Sequence, residues 1–325
     1  VSAGDTPTED GSLRALAEGT RRGEPAHTLL VQSAKSVTLF RMTELAENAQ
    51  QTDALPLGPE SLVWRYFGDN RMYLIGPRPA VLQNMLAELG QGVLDHSVFF
   101  ADTAARVKRS IPPIMMTVYG SSDDNPGEQV RDFHKDIKGE MPDGNRYHAL
   151  DPDTYFWAHA TFVEQVLYFA DTFVKRLTDA EKEQIYLESK TWYRRYGVSD
   201  RPMPADYAGF QRYWDRMIDE IVVAHPTAQY GVGYVTKGFP RPKGVSPVAW
   251  RLVAPVFNPM AAFLTTGGMP PRARDLLGLP WSDRKEKAYQ RFAAAWRSKP
   301  VNWIWDRLPM RLRYNKFAQT GYGHG

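Results

Sequence analysis

Apolar residues recur three and four positions apart through most of this chain, at 80–94 (AVLQNMLAELGQGVL), 103–118, 129–138, 154–176 and 179–196. That spacing gathers them on one face of an α-helix. Strand-like alternation is nearly absent, and the Gly-rich 230–236 (YGVGYVT) is the only stretch that reads as extended. Helix-start signals agree: Thr178 with Glu181 makes a capping box, Pro152 follows Asp151 as an N1 proline, and Ser282 precedes DRKEKAYQRFAAAW. A further helix opens at 201–204 and runs through Val223, with Pro226 as its stop. These signals predict an all-α fold of about ten helices in a single large domain. The main body is 58–299. An N-terminal extension, 1–57, precedes it and ends in the loop TDALPLGPES, and a basic C-terminal tail, 300–325, follows.

Composition narrows the chemistry. With no cysteine, the chain cannot use disulfides, thiol nucleophiles, Fe–S clusters, Cys-bound zinc or thiolate-ligated haem. Any metal must take His, carboxylate or carbonyl ligands. Forty Lys and Arg against 37 Asp and Glu is too balanced for a nucleic-acid partner. The most apolar run, 246–268, is interrupted by Pro247, Arg251, Pro255, Asn258 and Pro259, and no secretory core is visible near the start. The expectation is a soluble, cytoplasmic protein. From Ser282 onward ten Lys/Arg face three Asp/Glu, with Trp296, Trp303 and Trp305 among them. That mixture suits either a solvated helix face or peripheral contact with an anionic membrane.

Three of the seven histidines fall within 131–162. His134 shares an inward arc with Val130, Phe133 and Ile137, and His159 faces inward with Tyr155 and Val163. Each is either a hydrogen-bonded core imidazole or a ligand. No spacing matches HExxH, and His159 with Glu164 does not match the Glu-x-x-His of di-iron bundles. A haem needs only one inward imidazole, an apolar pocket and cations for its propionates. Arg106 and Arg109, three apart, with Ser110, supply such cations and a hydroxyl, or else form a solvated basic turn. A Ser-His-Asp site built on His96 and Ser97 lacks a GxSxG elbow. His148 sits in a turn near a helix entry, and His27, His225 and His324 read as surface or packing residues.

Six motifs occur in order: FGDNR (67–71), HS-x-F with D-x3-R-x2-R-S (96–110), H-x2-I-x-G (134–139), YHALDP (147–152), WAHAT (157–161) and GLPWS (278–282). Together they resemble the MpaB-like/rubber-oxygenase catalytic-domain family, which includes the latex-clearing proteins, over about residues 60–297. The resemblance implies a globin-reminiscent all-α core holding a b-type haem on one histidine, with O2 cleaving a double bond of polyisoprene in the rubber enzymes. It places the iron ligand on His134. It matches the family's distal Arg and Thr to Arg106 and Ser110, and its distal lysine to Arg109, which cannot readily deprotonate to ligate iron. Leu86-Ala87 stands where many members carry His-Pro, and Glu88 is the nearest counterpart of the distal acid.

The resulting expectation is an oxidoreductase, a haem b oxygenase or oxidase acting with O2 or peroxide on an apolar, isoprenoid or lipid-like small molecule or polymer. His134 binds iron. Arg106, Arg109 and Ser110 orient oxygen or the propionates, and His159 is a fallback ligand or a partner behind His134. Phe99, Phe100, Trp157 and Phe162 are candidate pocket walls. Two rivals remain: a non-haem oxygenase using His134, His159 and Asp151, and a non-catalytic apolar-ligand or membrane-surface protein.

Overall fold

The structure, a computed structural model, describes residues 53–96, 103–121, 124–242 and 244–323, with only the backbone given for 103–107 and 234. Residues 1–52 of the extension 1–57 therefore lie outside the described residues. Residues Ala54–Gly325 form one compact, all-α unit. It opens with α1 (Leu62–Phe67), a 3-10 turn (Asn70–Ile75), α2 (Arg78–Gln83) and α3 (Ala87–His96). The hairpin α4 (Thr103–Tyr119) and α5 (Pro126–Asp132) follows, then β1 (Lys138–Glu140) paired antiparallel with β2 (Arg146–His148). Two central helices come next, α6 (Pro152–Phe169), ending in a π turn, and α7 (Asp179–Arg194). After them run α8 (Tyr207–Arg216), α9 (Pro226–Lys237), α10 (Pro247–Gly268), α11 (Pro271–Leu276), α12 (Asp283–Trp296), α13 (Lys299–Arg307), α14 (Met310–Arg313) and α15 (Lys316–Gly321).

The caps form as the residues dictate. Asp151 accepts from the Asp153 and Thr154 amides, Thr178 and Glu181 close a full capping box, and Ser282 accepts from the Lys285 amide. One cap comes from far along the chain: the buried Glu188 carboxylate accepts from the amides of Leu62 (3.1 Å) and Val63 (2.8 Å), satisfying the start of α1. Arg195 does the converse for α4, donating to the carbonyls of Thr117 and Val118 at 2.9 and 3.1 Å.

Several local expectations are corrected. The periodic stretch 80–94 breaks at Asn84–Leu86, where the Asn84 side chain turns back onto the Ala80 carbonyl and the Met85 carbonyl accepts from the Val223 amide. The stretch 230–236 is helical: Pro226 begins α9 at N1, with His225 as its N-cap, and Ala228, Val232 and Val235 are its buried face. Pro255 and Pro259 do not interrupt α10, which is continuous over 22 residues.

The residues set apart as a C-terminal tail pack into the same unit. Arg71, buried and held by Asp69 at 2.7 Å, donates to Asn302 at 2.8 Å and lies over the Trp305 ring. Asp69 bridges to Tyr314, and the Gly68 carbonyl accepts from the Asn315 amide. Gly68 is needed for this approach, since a Cβ there would sit 2.5 Å from both the Ala318 methyl and the Tyr119 hydroxyl. Gly68→Ala is expected to cost about 1–3 kcal/mol, measurable as a lower urea midpoint at unchanged m-value. An unchanged midpoint would mean that α15 does not seat against α1.

Candidate functional site

His134 lies just past the last residue of α5, in a run of turns rather than within a helix. This corrects the inward arc: Val130 is buried, but Phe133 is 65% exposed and His134 and Ile137 are half-buried. The imidazole is nonetheless held. Its Nδ1 lies 2.8 Å from the Val130 carbonyl, four residues back. A carbonyl only accepts, so Nδ1 carries the proton and the lone pair is assigned to Nε2. The ring also stands edge-on to Tyr155 of α6 at 6.0 Å between centroids. A backbone acceptor on one imidazole nitrogen, fixing the tautomer that leaves the other basic, is the arrangement ligand histidines use.

α4 packs against α5 and carries the candidate cations. Arg109 is exposed and Ser110 half-buried, while the Arg106 side chain lies outside what is described, as do Ser97, Phe99 and Phe100. Pro112 and Pro113 fall inside α4. Proline has no N–H, so they withdraw the donors that would have met the carbonyls of Lys108 and Arg109. The helix backbone is thus loosened beside Arg109 and Ser110.

His159 is in a different setting. It is 3% exposed, its Nε2 lies 3.1 Å from the Ser189 carbonyl, and Nδ1 is buried without a hydrogen-bond partner. Phe156, Trp192, Tyr193 and Tyr196 surround the ring, with Trp192 edge-on at 4.9 Å. Burial drives its pKa down to about 3, against a smaller opposing effect of the Ser189 hydrogen bond, so the ring is neutral at physiological pH. Aromatic rings link it to His134: Tyr155, edge-on to His134, lies 5.4 Å from Tyr196, and Tyr196 lies 6.0 Å from His159. Of the candidate walls, Trp157 is fully buried, donating to the Leu82 carbonyl and stacked on Trp214, and Phe162 stacks on Trp192.

His148 ends β2 and accepts from the Leu150 amide at 3.0 Å, shaping the entry to α6. His96 lies 3.0 Å from the Lys138 carbonyl, tying α3 to the β-hairpin. Asp95 beside it accepts from the Tyr147 hydroxyl at 2.6 Å, and burial, reinforced by that carboxylate, pushes the phenol up to about 12. No group of three or more His, Asp or Glu side chains converges as a metal site among the described residues, so His134, His159 and Asp151 do not form the facial set of the non-haem alternative.

A cavity of about 980 Å³ opens between the β-hairpin, the start of α3, the start of α6 and the end of α8. Leu86, Met217 and Ile221 give it apolar wall, while Glu88, Arg146 and Arg216 are among its charged lining. His134 does not line it. Leu86 and Glu88 reach it from around the start of α3. Periodicity gave no hint of this cavity, because the helix break at Asn84–Leu86 creates one of its walls.

In this all-α unit α4, which bears Arg109 and Ser110, packs against α5, and the His134 imidazole is held just beyond the end of α5. The chain belongs to the family described as ER-bound oxygenase mpaB/B'/rubber oxygenase, catalytic domain, whose model matches residues 64–298. It is also similar to an uncharacterised protein of Mycobacterium bovis and to another of Mycobacterium tuberculosis, each 24% identical over 157 residues. The alignment covers 48% of this chain and 58% of each relative, so the chain spans little more than half their length. No solved structure matches.

Proposed function

We propose that this chain is a haem b oxygenase or oxidase acting with O2 or peroxide on an apolar, unsaturated substrate of isoprenoid or lipid-like kind, with His134 as the axial iron ligand. The observation that carries the reading is the His134 Nδ1 hydrogen bond to the Val130 carbonyl, which orients the imidazole through one nitrogen in the way backbone acceptors orient ligand histidines. The donor set fits a group needing one axial imidazole, and the cysteine-free sequence matches a nitrogen-ligated rather than thiolate-ligated iron. When bound, the haem supplies the oxygen chemistry.

The chain's own residues do the rest. Val130 holds the His134 tautomer, and the edge of Tyr155 limits rotation of the ring. Arg109, permanently charged, sits exposed on α4 where it can bind a carboxylate such as a propionate. Ser110, one residue further and half-buried, offers a hydroxyl that can hold or pass a proton, with Arg106 on the same helix as a second cation. His159 serves as packing against Trp192, Tyr193 and Tyr196 rather than as a ligand, since binding a metal would require opening its aromatic cage.

The test is haem content. Protein produced with haem supplied should carry about one haem per chain by the pyridine haemochrome assay, and His134→Ala should lose most of it while keeping its far-UV circular dichroism. A folded wild-type protein that takes up no haem would sink the proposal.

A further inference from the structure

α10 breaks the rule that a surface helix shows water a polar face. Its last turns are anchored: Leu264, Thr265, Thr266 and Gly268 are buried, and the Gly268 carbonyl accepts from buried Arg78 at 2.5 Å. Its first fourteen residues are not. Val248, Leu252 and Val256, spaced by four, are 71–74% exposed, and Val253, Phe257 and Met260 continue the apolar surface around the helix at 44–51%. Only the face of Trp250, Ala254 and Asn258 is half-covered, where Phe257 meets Phe239 at 5.7 Å and Asn258 accepts from the Phe239 amide at 3.1 Å. Among the described residues, this is the one helix long and apolar enough to cross a membrane.

The charges around it point to a partner. Between positions 221 and 274 the sequence holds no Asp or Glu, against 37 in the chain, and six Lys or Arg: Lys237, Arg241, Lys243, Arg251, Arg272 and Arg274. Lys237, Arg241 and Arg251 are exposed. An apolar ridge flanked by cations, in a stretch of sequence without carboxylates, complements an anionic lipid surface, where headgroup phosphates meet the cations and acyl chains take the ridge. A protein partner would require no such one-sided charge.

We infer that α10 is a membrane-docking helix: residues 247–260 lie in the headgroup region of an anionic phospholipid bilayer, with Lys237, Arg241 and Arg251 on its phosphates. The helix lies on the bilayer rather than crossing it. Its last turns are held inside the protein, and its first fourteen residues, at about 1.5 Å each, fall short of the roughly 30 Å hydrocarbon core. Pro255 and Pro259 leave the carbonyls of Arg251 and Pro255 without intrahelical donors and in need of another partner. At the interface, water is that partner. The C-terminal alternative fits less well, because Asp306 lies among exposed Trp303, Ile304 and Leu312 and sits 4.0 Å from Arg313.

The full chain should co-sediment with phosphatidylcholine vesicles containing phosphatidylglycerol, and much less with phosphatidylcholine alone or in high salt. The double variant Leu252→Glu/Val256→Glu, altering only exposed positions, should lower binding by about tenfold or more, and Lys237→Glu/Arg241→Glu should remove the preference for anionic lipid. Trp303→Glu should have little effect. Undiminished binding by the α10 double variant, or loss of binding on Trp303→Glu alone, overturns the assignment. So does a concentration-dependent dimer in sedimentation velocity that Leu252→Glu/Val256→Glu dissolves in a protein indifferent to vesicles, which would make the occupant a second copy.

Discussion

Replacing Arg78 with Met should destabilise the protein by about 3–5 kcal/mol, more than the loss expected for Gly68→Ala. Arg78 is 2% exposed and forms a forked pair with Glu164, one arm at 2.8 Å, while donating to the Gly268 carbonyl and lying over the Tyr168 ring at 4.5 Å. Tyr168 in turn shares a 2.6 Å hydrogen bond with Tyr289. One guanidinium thereby ties α2 to α6 and to the buried end of α10, with α12 one contact further. Burial works against its charge, but Glu164, through its charge and its hydrogen bonds, outweighs burial and holds the guanidinium protonated. Removing Arg78 leaves a largely buried carboxylate without its counter-charge, and the midpoint of thermal unfolding should fall by roughly 10 °C. Arg78→Met/Glu164→Leu should recover much of the loss, because the pair's attraction is offset by its desolvation. A double variant no better than Arg78→Met would show that the fork contributes net stability.

The second large effect is acid destabilisation through His159. Its folded pKa, depressed to about 3 by burial, lies below the ordinary value of 6.5. As pH falls through 6.5 the unfolded chain therefore takes up a proton that the folded chain refuses until about pH 3. Stability is complete above the unfolded pKa and declines below it. Between pH 7 and pH 5, above most carboxylate titrations, the loss should be about 2 kcal/mol. His159→Phe keeps an aromatic of similar reach inside the cage, removes the orphaned Nδ1 and should flatten that slope in urea titrations. An equal slope in the two proteins would place the acid sensitivity in another group.

The all-α class, and with it the caps at Asp151, Thr178 and Ser282, was legible because those signals are local: each needs only a side chain within three residues of an amide. What failed depended on distant partners or on a proline read in one direction. Pro226 looked like a stop because it follows an apolar run, yet proline fits N1 equally well, and Ala228, Val232 and Val235 already carried a helical period. The break at Asn84–Leu86 rests on the Val223 amide, more than a hundred residues away, and no period reports such a bond. Near the site, the motif H-x2-I-x-G singled out His134, but its tautomer follows from where α5 ends. The periodicity had carried that helix past the histidine. His159 appeared equivalent in sequence because spacing shows only that a residue faces inward. The cage around it comes from Trp192, Tyr193 and Tyr196 on α7 and just beyond its end.

The most direct test of a single oriented imidazole as the iron ligand is the Soret absorption of His134→Gly, measured with and without added imidazole, beside His159→Phe. If His134 holds the haem, His134→Gly loses the band, free imidazole restores it in the vacated space, and His159→Phe keeps it unchanged. A band that persists in His134→Gly without imidazole, or that disappears in a folded His159→Phe, contradicts the assignment.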